Sequence, residues 1–425
     1  MRKLSLIFIA LFFVQLFCVF ADNNASSANS LDKNKPKDTD KAKPKGPLWI
    51  KDRSFEIGLV NLHVSFANSF LSLSEIFQDV IILDLDKLAN GFNFNLGANI
   101  TPFYFKFKLN NGMAFGLSTD IDAIGVLNIS GNMLNLNEAI KDNSDIGGAV
   151  FSSITVESFF HVQKFKVKIN PSLFYALAYI TPTRNMPSSV VYTLDYSDGT
   201  VAYIDYAMRI YTGYSTDNGF SITSNPGVDF TIGAEYPLAK EIGLTNTMPF
   251  LDFDVGLDLI NFPFFPSTMD SYKQIKGRLG KNKQIKIINK NDDDDDSFFS
   301  NKIIDGKEEV KVSRPFKMIT WIDWRPLFGS KFLTVTPVIG FCYNALYYKP
   351  FSLEVGLNSC LNLRNLFLIK LGFNYTDRMF VNSLGFVLNF KAFELDIGAD
   401  LRSQNSSQAW SGAGLGVNFG LKFGW

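Results

Sequence analysis

Cysteine is scarce in this chain, with three in 425 residues, at Cys18, Cys342 and Cys360. The first falls in an N-terminal leader and the other two fall within strand patterns, so a disulfide framework does not organise the fold. Histidine is scarcer still. His63 and His161 are the whole supply, and neither stands beside a Ser or Asp at a spacing that would arm a nucleophile. No catalytic, cofactor-binding or metal-binding residue is therefore expected, and an enzyme is not the expectation. Charge of one sign is also lacking: 41 basic residues balance 41 acidic ones, which gives no argument for nucleic acid or for an acidic substrate. No internal repeat of fixed period is visible. Beyond the leader, no apolar run approaches the ~20 residues a spanning helix needs. If this chain enters a membrane, it does so as strands.

What is present in excess is aromatic, with 42 Phe and 15 Tyr alongside 31 Gly. The N-terminus has Arg2 and Lys3, an apolar run from Leu4 to Phe20, and Ala21, which reads as a secretory signal over residues 1–21. The rival reading is a membrane anchor, but the run is short and carries Ser5 and Gln15, and no stop-transfer charges follow. Lipidation at Cys18 is a second rival; it meets the bulky Phe17 where that cut needs a small residue. Residues 22–48 hold six Lys, four Asp and, before Pro47, two Pro, with Leu31 the one large apolar group until Leu48. Such a segment cannot bury enough surface to offset chain entropy and is expected to be a disordered linker.

From Trp49 onward the dominant signal is period two, the mark of strands with two unlike faces. In "SLEVGLNSCLNL" Leu353, Val355, Leu357, Leu361 and Leu363 alternate with Glu354, Gly356, Asn358, Cys360 and Asn362. The last strand sets Leu415, Val417, Phe419, Leu421, Phe423 and Trp425 against Gly416, Asn418, Gly420, Lys422 and Gly424. A one-residue slip would invert a strand, so the turns test whether neighbours agree. A two-residue turn at Lys391-Ala392 pairs Phe390 with Phe393, Leu384 with Ala399, and Asn389 with Glu394. A four-residue loop over Thr376 to Met379 sets Tyr375 opposite Phe380 and Leu371 opposite Leu384. A three-residue loop over Arg364 to Leu366 sets Leu361 opposite Ile369, and another over Asn110 to Gly112 sets Phe107 opposite Phe115. The apolar faces agree throughout.

Fifteen strand candidates result, one of them Val201–Gly213, and "VVYTLDYSDGTVAYIDY" could add a hairpin turning at Asp198-Gly199. Single-chain bacterial barrels carry an even number, which favours 14. Two stretches break the pattern. Within 67–91, Ser72 and Glu75 form a capping box and predict a short helix plus an irregular segment. Residues 262–314 read as a charged insertion and a long aqueous loop. Its Asp292–Asp296 run resembles the start of a calcium loop but lacks the Gly and the distal Glu, so a solvated loop is expected. The seven basic residues between Lys273 and Lys290 would compensate it.

The fold class that follows is all-β: an antiparallel transmembrane barrel of the outer membrane over 49–425. A soluble sandwich also alternates, but its strands run near ~5–6 residues. Many here run about 9 to 14, the length that crosses a bilayer at a tilt. In lipid every backbone donor must be paired, so such strands close into a ring without edges. The end of the chain carries Asn418, Gly420, Phe423 and Trp425 in the order polar, Gly, aromatic, aromatic, which resembles the signal by which outer-membrane barrels are handed to their assembly machinery. On the polar faces, Glu354, Lys370, Glu394, Asp396, Asp400 and Lys422 are the candidate lumen charges, either paired with one another or ringing a path for a solute.

The stretches "SRPFKMITWIDWRPLFG", "FKAFELDIGADLRSQ" and "AWSGAGLGVNFGLKFGW" resemble spirochaete outer-membrane barrels grouped with FadL-type long-chain fatty-acid transporters. The resemblance implies a 14-stranded barrel, an N-terminal segment inside the lumen with 67–91 as the candidate plug, and passive uptake of hydrophobic nutrients such as long-chain fatty acids. Outer-membrane lipid, the assembly machinery and a hydrophobic solute are the expected partners, with a host component possible at the surface and no nucleic acid. Two alternatives stay open: a general porin, and a surface adhesin or antigen acting through 262–314.

Overall fold

The structure is a computed structural model that describes residues 53–425 apart from 69–79, 85–90, 110–112, 131–144, 182–189, 196–200, 217–219, 280–283, 290–299, 328–331, 348, 391, 405, 407 and 411–413. The proposed signal peptide and linker, and the Asp292–Asp296 run, lie outside the described residues.

Strands dominate. In chain order they are β1 (Phe55–Asn68), β2 (Val80–Asp84), β3 (Gly91–Lys108), β4 (Ala114–Ser130), β5 (Asp145–Val162), β6 (Phe165–Ile180), β7 (Val190–Asp195) and β8 (Val201–Thr212). Then come β9 (Tyr214–Ser215), β10 (Ser221–Ile222), β11 (Gly227–Tyr236), β12 (Asp252–Phe265), β13 (Ser267–Leu279), β14 (Gln284–Asn289) and β15 (Ser300–Val312). The remainder are β16 (Phe316–Arg325), β17 (Leu333–Tyr343), β18 (Phe351–Leu363), β19 (Phe367–Thr376), β20 (Met379–Asn389), β21 (Phe393–Ser403) and β22 (Gly414–Gly424). Two helical turns, α1 (Leu238–Glu241) and α2 (Leu244–Thr247), sit between β11 and β12.

Following the antiparallel ladders gives the ring β1-β3-β4-β5-β6-β11-β12-β16-β17-β18-β19-β20-β21-β22, and β22 pairs back onto β1. That is a closed barrel of 14 strands. The seam is sealed by Glu56↔Gly424 through Ala67↔Gly414, with Ser54 donating its N–H to the Trp425 carbonyl at 2.8 Å. The local turns place the hairpins in the expected registers. Phe390 meets Phe393, Leu384 meets Ala399 and Asn389 meets Glu394; Leu371 meets Leu384, Leu361 meets Ile369, and Phe107 meets Phe115. One loop is tighter than the sequence suggests. Thr376 and Met379 themselves pair, leaving a two-residue turn in which Asp377 and Arg378 have φ of 49° and 65°, the geometry that matches strand twist.

The faces settle the orientation. Leu353, Leu357, Phe373, Leu384, Ile397 and Val417 are all exposed on the outside, while Glu354, Val387, Asn389, Glu394 and Asp400 are buried within. A closed ring with hydrocarbon outside and charge inside is the arrangement lipid requires. The chain is a multi-pass β-barrel of the outer membrane.

Two expectations need correction. Val201–Gly213 is a strand but not a barrel stave: β8 pairs with β13 and β7, and meets the ring along the short ladder from Ala178↔Thr212 to Ile180↔Ile210. Period two reports a two-faced strand and says nothing of which sheet it joins. The 262–314 insertion is not an irregular loop. β12 runs on into β13 and β15 runs on into β16, and β13 pairs with β15 from Ser267↔Val312 to Arg278↔Ser300. The charges along it are those of an exposed hairpin in water. With β7 and β8 it extends the wall past the rim that carries the long connections, which in such barrels is the outer one. In the candidate plug 67–91, Ala67 and Asn68 complete β1, Val80–Asp84 is a strand that pairs with β14, and Gly91 opens β3, while the short helix expected at Ser72 and Glu75 lies outside the described residues. Residues 69–79 and 85–90 lie outside the described residues.

Candidate functional site

The lumen wall is lined with ion pairs. Lys370 reaches across β20, over Gly385, to place Nζ 2.7 Å from Asp396, which also accepts from the Asn418 amide at 3.2 Å. Glu394 lies 3.6 Å from Lys422, its cross-strand partner, and 3.8 Å from Arg53. Arg53 is buried where the chain enters the barrel and also donates to Asn389 Oδ1 at 2.8 Å and to the Phe390 carbonyl at 2.7 Å. Asp400 bonds Arg402 and meets His63 Nε2 at 3.2 Å; the adjacent Gly416 leaves the space a Cβ would take from that carboxylate. Glu354 accepts from the Asp377 N–H at 3.1 Å and stands 3.6 Å from Lys317. All six lumen charges read from the sequence thus have a partner across the wall. Of the terminal residues, Asn418 and Gly420 sit on the lumen face against β21, Phe423 is exposed on the outer face, and Trp425 is 72% exposed with its ring 4.7 Å from Phe55.

A cavity of about 330 Å³ lies in the outer half of the lumen, between these pairs and the long connections. Ile124, Val126 and Phe151 give it an apolar wall, and His63, Arg402 and Asn99 a polar one. Its far side is closed by the β17–β18 connection, which turns inward instead of arching over the rim. Asn344, buried, holds the turn: its Oδ1 accepts from the Leu346 N–H at 3.1 Å and its carbonyl from the Tyr347 N–H at 3.2 Å. Leu346 and Tyr347, 3% and 6% exposed, then enter a cluster with Val126, Ala149, Phe151, Phe174, Tyr179, Met269 and Val312. That cluster belongs to the opposite wall, where Gly147 leaves space against the Leu346 backbone. Tyr347 is also fastened to the β19–β20 turn, its hydroxyl donating to the Asp377 carbonyl at 3.3 Å beneath the Arg378 guanidinium, 4.3 Å from the ring.

Arg314, on the three-residue link between β15 and β16, is the most deeply placed cation at the cavity. Its guanidinium donates to both Asp229 oxygens, at 2.8 and 2.6 Å, and to Ser153 Oγ at 3.1 Å, with Asp122 3.8 Å away. Burial works against its charge, and the bidentate pair with Asp229 outweighs burial, so the guanidinium is held charged more firmly than usual. A second group, Cys342, Glu354 and Asp377, gathers its ligand-type atoms within 4.8 Å. Lys317 Nζ stands 3.0 Å from Asp377 there, so the chain supplies that site with its own cation.

No protein-family model matches the sequence, and no curated protein matches it. The structure is similar to that of the toluene transporter TbuX of Ralstonia pickettii at 8% identity and a TM-score of 0.45, over 88% of this chain and 90% of that one. It is similar to the toluene transporter TodX of Pseudomonas putida at 8% identity and a TM-score of 0.43, over 87% and 88%. The translocator domain of the autotransporter NalP from Neisseria meningitidis aligns over 97% of each chain at 7% identity and a TM-score of 0.34. These likenesses assign no substrate.

Sequence reasoning missed Arg53, Arg314, Asp229 and the inward turn at Leu346 and Tyr347. Each works through partners tens to hundreds of positions away, and the one local sign, Asp229 on a lumen-parity position of β11, is shared by many strand residues. His63 has no acidic neighbour close in sequence; the closing seam brings it to Asp400.

Proposed function

We propose that this barrel is an outer-membrane channel for passive uptake of small hydrophobic molecules, long-chain fatty acids among them. The observation that carries the reading is the partly apolar lumen cavity beside Tyr347, open on one side. Ligand pockets for apolar molecules have this character: a volume of at least ~300 Å³, hydrocarbon walls and a few convergent polar groups. A general porin is the poorer reading, because its lumen is an open aqueous shaft, whereas apolar side chains from opposite walls meet across this one. Transport asks for no catalytic group, and the His63–Asp400–Arg402 group serves here as part of the paired wall. The extension built from β7, β8, β13 and β15 gives a surface on which contact with a host component could be a second role, and hand-over through Trp425 to the assembly machinery belongs to the same reading.

The test is uptake by phospholipid vesicles carrying the purified barrel. Entry of a fluorescent long-chain fatty acid or a neutral aromatic faster than into empty vesicles is expected, with little steady ionic current in planar bilayers. Uptake equal to empty vesicles, or a large ohmic conductance, would reject the proposal.

A further inference from the structure

On the inner rim, Gln163-Lys164 turns β5 into β6 in two residues, whereas β11 and β12 are joined by a connection of residues 237–251. There residues 237–251 fold as α1, α2 and a 3-10 turn over Pro249–Leu251. Gly243, at φ 75°, ends α1 by taking the left-handed conformation, its N–H bonding the Lys240 carbonyl at 3.2 Å. Ala239 is fully buried beneath the segment. Yet Ile242, Met248 and Phe250 are 59%, 45% and 46% exposed, large apolar groups gathered on a connection that water would not favour.

Three contacts fix the side of the wall on which this connection lies. Trp324, exposed on the outer face of β16, donates its indole N–H to the Phe250 carbonyl at 2.8 Å. Phe165, exposed at the foot of β6, packs its ring 4.7 Å from Tyr236, the last residue of β11. Lys164 pairs with Glu241, tying α1 to the β5–β6 turn. The connection is thereby continuous with the lipid-facing belt, at the level where aromatic girdles sit.

We propose that residues 237–251 form an interfacial foot lying in the headgroup–acyl boundary of the inner leaflet. Ile242, Met248 and Phe250 enter the acyl region, and the exposed Lys240 stands within reach of lipid phosphate. The foot fixes the height of the barrel in the bilayer, independently of what the lumen carries.

Nitroxide labelling tests this directly. Single cysteines at Ile242→Cys and Met248→Cys, in a Cys342→Ser, Cys360→Ser background, are spin-labelled and reconstituted into phosphatidylethanolamine–phosphatidylglycerol vesicles. Leu384→Cys on the lipid face and Glu309→Cys on the outer extension provide the two references, and heat-modifiable gel mobility confirms folding. The foot sites should relax with oxygen as Leu384→Cys does and be shielded from an aqueous nickel complex. Accessibility matching Glu309→Cys would overturn the proposal. So would nickel accessibility in vesicles combined with protection in isolated outer membranes, which would point to a protein partner.

Discussion

Replacing Arg314 by Met should unmake the outer half of the lumen. The guanidinium supplies two of Asp229's hydrogen bonds, at 2.8 and 2.6 Å, one to Ser153 at 3.1 Å, and the charge nearest Asp122. Asp229 is 2% exposed and Arg314 8%, so solvent cannot take over either role. Breaking a buried pair by removing one member costs about 3–5 kcal/mol, chiefly because the remaining charge is stranded. Each ~1.4 kcal/mol is tenfold in an equilibrium constant, so the folded-to-unfolded ratio should fall at least about a hundredfold. The double variant Arg314→Met, Asp229→Leu removes both charges and should return to within about 1–2 kcal/mol of wild type, since apolar replacements of such pairs are often near neutral. Arg314→Lys, keeping charge but losing the planar fork, should fall between. Urea titrations in phospholipid vesicles, read by heat-modifiable gel mobility, measure these three and Asp229→Leu alone. A single variant costing under about 1 kcal/mol, or a double variant costing as much as the two singles summed, would refute the reasoning.

Two further outcomes are expected. Truncating the inward turn, as Leu346→Ala with Tyr347→Ala, should remove the apolar contact across the lumen and raise vesicle uptake of small apolar solutes and single-channel conductance together; unchanged flux in both assays would mean the passage lies elsewhere. Leu384→Arg, on the lipid face near mid-strand, should lower barrel stability by about 2–4 kcal/mol; a urea midpoint unchanged from wild type would argue against lipid at that position.

The barrel itself was legible because its information is local. Side-chain parity and turn length fix a hairpin, so Leu384 opposite Ala399 and Phe107 opposite Phe115 could be read from neighbouring residues alone. The stave count needed more. Val201–Gly213 alternates as convincingly as any barrel strand, but its partner is Tyr272–Leu279, far along the chain, and alternation does not name partners. The insertion misled for a related reason: lysines and acids on β13 and β15 suggested a long aqueous loop, yet cross-strand pairs such as Lys273↔Asp305 let a hairpin carry them. The cavity was least legible. Its polar members, His63, Asp122, Arg314 and Arg402, come from separate strands and links, and "FCYNALYYKP" reads as a strand end until Asn344 turns it inward.

The account rests on hydrocarbon lying outside the ring. Single fluorophore-labelled cysteines at successive positions 353 to 358 of β18, in vesicles containing brominated phospholipid, test it most directly. Quenching should alternate, strong at Leu353, Val355 and Leu357 and weak at Glu354, Gly356 and Asn358. Quenching that is uniform along the strand, or strongest at the even positions, would contradict it.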